Sequence, residues 1–89
     1  MSAKVTMYST RFCPFCMRAR SLLGQKEIEY EEINVGNDPS LWQNMQALSG
    51  RDSVPQIFIN DEAVGGYDDI ALLERQGKLD TMLAAASSE

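Results

Sequence analysis

The sequence has no histidine, two cysteines, one tryptophan and three prolines among its 89 residues. The missing histidine removes both the usual neutral-pH acid–base group and the commonest metal ligand. A structural zinc site takes four protein ligands. With no histidine and no further cysteine, an intrachain Cys/His site is excluded, and only one shared between subunits survives. The two cysteines, Cys13 and Cys16, would close only a tiny loop, which argues against a disulfide scaffold. Positive charge is scarce: 8 Lys and Arg against 13 Asp and Glu give a net charge of −5. That argues against general nucleic-acid binding, which needs basic patches. No apolar run approaches membrane-spanning length, and the opening "MSAKVTMYST" lacks an apolar signal core. The expectation is a cytoplasmic protein in a reducing compartment, with no membrane partner. In such a compartment a close cysteine pair is more often catalytic or metal-binding than structural.

What is present suits one small globular domain over residues 1–89. Hydrophobic residues make up 44% of the chain, and a domain of this size buries roughly 60–65% of its unfolded surface in one modest core. The charge is uneven. Arg11, Arg18 and Arg20 crowd the cysteine segment, and Glu27, Glu29, Glu31 and Glu32 follow as a solvated acidic run. The cysteines thus sit in a locally positive neighbourhood on an acidic body.

Residues 4–9 alternate as a strand buried on both faces. Pro14 suits a first helical position, where its missing N–H would be unpaired anyway. Ala19, Leu22 and Leu23 recur at helical spacing up to Gly24, which reads as a C-cap. Residues 28–34 alternate as a half-buried strand. Asp38 can cap a second helix carrying Leu41, Trp42, Met45 and Leu48 and ending at Gly50. Residues 54–60 read as a third strand, and Asn60 to Glu62 as a turn returning "AVGG" antiparallel. Asp68 or Asp69 caps a third helix with Ile70, Leu72 and Leu73. Gly77 ends it, and Asp80 opens a short last helix before the polar tail "ASSE". The predicted fold is α/β: a parallel βαβ unit plus an antiparallel β-hairpin, forming a four-stranded mixed sheet flanked by helices. Its first loop, after a central strand, is where such sheets place a site.

That loop reads "RFCPFCMR". Cys13 falls at the N-cap of the first helix, where the free N–H groups of Phe15 and Cys16 favour a thiolate over a thiol. Arg11 is expected to add to this. Thiols in such settings have pKa values of roughly 3.5–7.5 against about 8.5 when free. Cys13 therefore reads as the nucleophile and Cys16, one turn further in, as its resolving partner. Phe12 and Met17 stand where a hydrophobic staple would form. Two inert buried cysteines would not call for a proline between them, and a Cys-x-x-Cys near a βαβ pattern points to redox chemistry.

"CPFC" after the first strand, "SVPQIFI" further on and "GGYDD" before the third helix together resemble the glutaredoxin family, in its small bacterial dithiol type. The likeness extends over nearly the whole chain, including "LERQGKLDTML". It implies a thioredoxin-like fold and glutathione as reductant. It also implies an enzyme that reduces protein disulfides and protein–glutathione mixed disulfides through Cys13 and Cys16, with no metal. By the same resemblance Pro55 matches a cis-proline facing the cysteines, leaving the backbone of Val54 to pair with glutathione like an added strand. The residues alone equally allow a trans proline opening an edge strand. Gly65 and Gly66 let a ligand approach closely, and Tyr67 and Asp68 open a helix whose N–H groups can hold a carboxylate. A plain turn followed by a capping Asp68 is the alternative. Arg51 is a candidate for the glycine carboxylate of glutathione, or a solvated loop arginine.

Two positions depart from the family pattern. Phe15 replaces the usual tyrosine and loses its hydroxyl. Thr10 stands where many members carry a lysine, with Arg11 as the candidate replacement. The implied partners are glutathione and disulfide-containing or glutathionylated proteins, ribonucleotide reductase being one family possibility, and the expected state is a monomer. Two other functions remain open. One is a glutathione-independent, thioredoxin-like electron donor. The other is a dimer bridging a [2Fe–2S] cluster through Cys13 of each subunit and two glutathiones.

Overall fold

The computed structural model describes residues 3–84. The tail "ASSE" and the first two residues lie outside them. The elements run β1 (Val5–Ser9), α1 (Pro14–Gln25), β2 (Glu31–Asn34), α2 (Pro39–Ser49), β3 (Gln56–Ile59), β4 (Glu62–Gly65), α3 (Tyr67–Arg75) and α4 (Leu79–Ala84). The sheet order is β2-β1-β3-β4. β1 pairs with β2 in parallel, and both remaining pairs are antiparallel. This is the expected mixed sheet, of thioredoxin-like fold.

Alternation in β1 sends Val5, Met7 and Ser9 to the buried face, while Thr6 and Tyr8 on the other are only half-buried. Val5 and Met7 meet Ile57 and Ile59 of β3, and Ala19, Leu23, Ile70, Leu79 and Leu83 close over them from α1, α3 and α4. On the opposite face Tyr8 and Phe58 pack edge to face at 5.6 Å. A side chain in contact on one face has its neighbours on the other, the period-two rule that makes strand register decisive.

Caps explain most element ends. Asp38 accepts from the Leu41 N–H at 3.1 Å, and Gly50 closes α2 at φ 74°. The hairpin turns on Asn60 and Asp61, both at positive φ, the geometry that two-residue hairpins prefer. Gly77, at φ 73°, follows the end of α3.

Several expectations need correction. β3 spans Gln56–Ile59, not residues 54–60, so Pro55 stands before the strand. α1 does not stop at Gly24; it runs through Gln25, and Glu27 takes the left-handed position at φ 55°. β2 begins at Glu31, not at residue 28. Ile28 and Tyr30 do pack against the core, which explains their apolar alternation, but they do so before the strand starts. The staple does not form, since Phe12 is 86% exposed and Met17 59%. Finally, α3 is capped by Gly66, with Asp69 three residues in accepting from the Gly66 N–H at 2.9 Å.

Candidate active site

Cys13 is the N-cap of α1, in extended conformation, with Pro14 as the first helical residue. It is partly exposed, whereas Cys16 is fully buried. Both are free thiols. The Cys13 Sγ donates to the Val54 carbonyl at 3.8 Å, joining the start of α1 to the segment before β3. The Val54–Pro55 bond is cis, as the resemblance implied.

The two sulfurs are driven apart electrostatically. Burial pushes the Cys13 thiol up, but the Cys16 N–H, the Cys16 thiol, the Phe15 N–H and the Arg20 charge together bring it below its ordinary value. No standard hydrogen bond closes the cap in the thiol form, so those N–H groups act chiefly on the thiolate that develops there. Cys16 goes the other way. Burial pushes it up to about 11, the Cys13 sulfur adds to this, and the Thr10 N–H and Arg20 offset only part of it. One thiol is thus prepared to attack and the other to wait.

Beside Val54 lies a groove of about 260 Å³ lined by Phe15, Arg51, Val54, Pro55, Gly66 and Tyr67, with Ser53, Gln56, Asp68 and Asp69. Most of the residues singled out in the sequence therefore meet on one surface. Gly66 is there because nothing larger fits well: a Cβ on it would stand 3.2 Å from the Pro55 carbonyl oxygen. The bulge in the hairpin, where Ile57 pairs with Gly65 and Phe58 with Ala63, carries the two glycines to that point. Gly65 sits at φ 122°, and a Cβ there would collide with the Asp69 carboxylate.

Arg11 is the exception. It is exposed, lies 5.7 Å from the Phe12 ring centroid, and borders a separate hollow with Thr10, Asn34, Gly36 and Asn37. The cation that acts on the cysteines is Arg20. In the sequence it is one of three arginines near the cysteines, with Arg11 and Arg18. The available signal was spacing, because Arg20 follows Cys16 by four residues and so shares its helix face.

Arg51 is an exposed loop residue, as one of the two readings had it, but it is ion-paired across the groove. Its Nη1 lies 2.8 Å from Asp69 Oδ2. Burial alone would raise the Asp69 carboxyl, but the Gly66 N–H and Arg51 hold it below the usual range. In the sequence Asp69 shows only as a possible cap, and Gln56 carries no signal. Gln56 is buried in the groove wall, where its Nε2 donates to the Ser53 carbonyl at 3.0 Å.

A thioredoxin-like fold that sets a Cys-x-x-Cys at the start of its first helix, opposite a cis-proline, defines a thiol–disulfide oxidoreductase. Comparison with known proteins narrows this. The glutaredoxin family model matches residues 5–64. A glutaredoxin from Pseudomonas aeruginosa is 43% identical over 81 residues, spanning 91% of this chain and 96% of its own length. Glutaredoxin 3 of Escherichia coli K12 is 38% identical, spanning 91% and 98%. The solution structure of a Brucella melitensis glutaredoxin superposes with a TM-score of 0.83 at 44% identity, covering 93% of this chain and 90% of that one. A buckwheat glutaredoxin–glutathione complex superposes at 0.84 with 26% identity, covering 91% and 76%. The chain belongs to the glutaredoxin family.

Proposed function

We propose that the protein is a glutathione-dependent oxidoreductase that reduces protein disulfides and protein–glutathione mixed disulfides in a reducing, cytoplasmic setting. The observation that carries this reading is the contact of the Cys13 sulfur with Val54, a wall residue of the groove. A glutathionyl group bonded to Cys13 would extend from that contact along Val54 and Pro55 toward Gly66 and the first turn of α3. There the Tyr67 and Asp68 N–H groups offer a carboxylate site. Arg51 stands on the same groove and can exchange its Asp69 partner for a ligand carboxylate, matching it in two parallel hydrogen bonds.

The chemistry follows from the two thiols. The Cys13 thiolate attacks the glutathione sulfur of a mixed disulfide, and the protein thiolate leaves and takes a proton from water. A second glutathione, as thiolate, attacks the sulfur bonded to Cys13, releasing oxidised glutathione and restoring Cys13. With a protein disulfide, Cys13 bonds to one substrate sulfur and expels the other. Cys16 then loses its proton, attacks Cys13 and expels the remaining substrate thiolate. Two glutathiones reopen the resulting Cys13–Cys16 disulfide. Family potentials of roughly −200 to −230 mV lie near the glutathione pool, so such a pair can run as a relay.

The test is reduction of a glutathionylated peptide by glutathione, followed through glutathione reductase and NADPH. Wild type and Cys16→Ser are expected to turn over, and Cys13→Ser to be inactive. Activity surviving in Cys13→Ser would overturn the assignment.

A further inference from the structure

Behind the cysteine pair lies an ion-paired network that the reaction just described leaves unused. Arg20 of α1 places its Nη2 2.6 Å from Glu32 Oε2 of β2. Its Nε donates to the same oxygen at 2.7 Å, and its Nη2 donates to the Thr10 carbonyl at 3.2 Å. Ser9 Oγ, at the end of β1, donates to Glu32 Oε2 at 2.7 Å. Both ionic side chains are largely covered, with 29% and 30% exposure. Thr10 is therefore gripped through its carbonyl by Arg20, while its N–H faces the Cys16 sulfur.

We propose that Arg20 is a positioning residue for the resolving step: it holds the Thr10 segment against the Cys16 sulfur and supplies the positive charge that stabilises the Cys16 thiolate as it attacks Cys13. The inference rests on the dithiol half of the proposed function. In that step a Cys13–Cys16 bond forms as the bond from Cys13 to the substrate sulfur breaks. The electron pair leaves with the substrate thiolate, and the Cys16 proton passes to solvent.

The step needs such help because Cys16 is buried and reluctant to ionise. Once Cys13 is in a mixed disulfide, its own thiolate charge no longer opposes ionisation of Cys16. The groups left to favour the Cys16 thiolate are then the Thr10 N–H and the Arg20 guanidinium. Cys13 and Arg20 are the titratable groups that act on Cys16. Glu32, Cys16 and Tyr30 act in turn on Arg20. Arg20, then Ser9, keeps the Glu32 carboxyl below its usual range, against a smaller opposing effect of burial. Burial pushes the Tyr30 hydroxyl up, so it is neutral near pH 7. Arg20 is thus the cation of this network, held in place by a carboxylate that is itself held by Ser9.

Ellman's reagent isolates the step without glutathione, so the outcome does not depend on which reductant serves the protein. Cys13 attacks the reagent in a phase that scales with its concentration. Cys16 then displaces the nitrothiobenzoate from Cys13 in a phase that does not. Arg20→Gln is expected to slow the second phase and move its pH profile upward. A tenfold loss of thiolate costs about threefold in rate, because the more basic thiolate is the better nucleophile. Arg20→Lys restores the profile, and the first phase changes less than the second. An unchanged second phase in Arg20→Gln, or equal slowing in Gln and Lys variants of native denaturation midpoint, would reduce Arg20 to a structural strut. If Arg20→Gln does not fold, Glu32→Gln serves instead, because its amide oxygen still accepts from Arg20 and keeps it in place while the negative charge is gone. Removing the counter-charge should move the second-phase profile to lower pH, and an unmoved or upward profile contradicts the proposal.

Discussion

Two identical thiols three residues apart acquire opposite properties from their places on one helix. Cys13 sits where helix N–H groups are unsatisfied, and Cys16 sits one turn in, where water is excluded. The consequence for stability has a definite sign. A group whose folded-state pKa is lowered stabilises the fold above its unfolded value, and that contribution is lost as pH falls through the folded value. Cys13 is of this kind. Cys16 is the reverse: with a folded value of about 11, it removes stability as pH rises past the free-thiol value of about 8.5. Above the carboxylate range, where Glu32 and Asp69 no longer titrate, the reduced protein should therefore gain stability with rising pH up to the free-thiol value and lose it beyond. Urea denaturation across pH checks this, with Cys13→Ser expected to lack the rising limb. A rising limb that persists in Cys13→Ser would place its origin in another group.

At the scale of elements, end signals decide how each segment is held. The Asp38 cap and Gly50 stop of α2 both act at the helix ends. Replacing Asp38 by Ala should cost about 1 kcal/mol, measurable as a lowered urea midpoint, with no change in thiol reactivity because α2 does not line the groove. These signals are legible in sequence because cap and stop are single residues of distinctive type. Gly24 shows where such reading fails. A glycine in ordinary helical conformation looks the same in sequence as one in the left-handed region, and the chain instead bends at Glu27. β2 fails for another reason. Ile28 and Tyr30 continue the strand pattern because they cover the core, although pairing with β1 begins only at Thr6 and Glu31. At α3 the sequence points to an aspartate cap, but Asp69 works from the third helical position back onto Gly66.

For the whole molecule, the fold's task is to bring distant segments together. The cysteine loop, the Val54–Pro55 segment and the glycines after β4 meet because β1 and β3 are neighbours in the sheet and the hairpin bulge turns the chain back on itself. The mixed four-stranded sheet and the place of the cysteine pair at the start of the first helix could be read from motif order and spacing. The Arg51–Asp69 pair and the Arg20–Glu32 pair could not, since each joins residues more than ten positions apart through side-chain geometry alone. The central claim is that glutathione, rather than a dedicated reductase, returns the oxidised centre to its dithiol form. The most direct measurement starts from the Cys13–Cys16 disulfide and follows its reopening with glutathione, glutathione reductase and NADPH on one side, and thioredoxin reductase and NADPH on the other. Fast reopening with glutathione and little with thioredoxin reductase is the predicted result. Reopening by thioredoxin reductase alone would contradict the account and make the protein a thioredoxin-like donor.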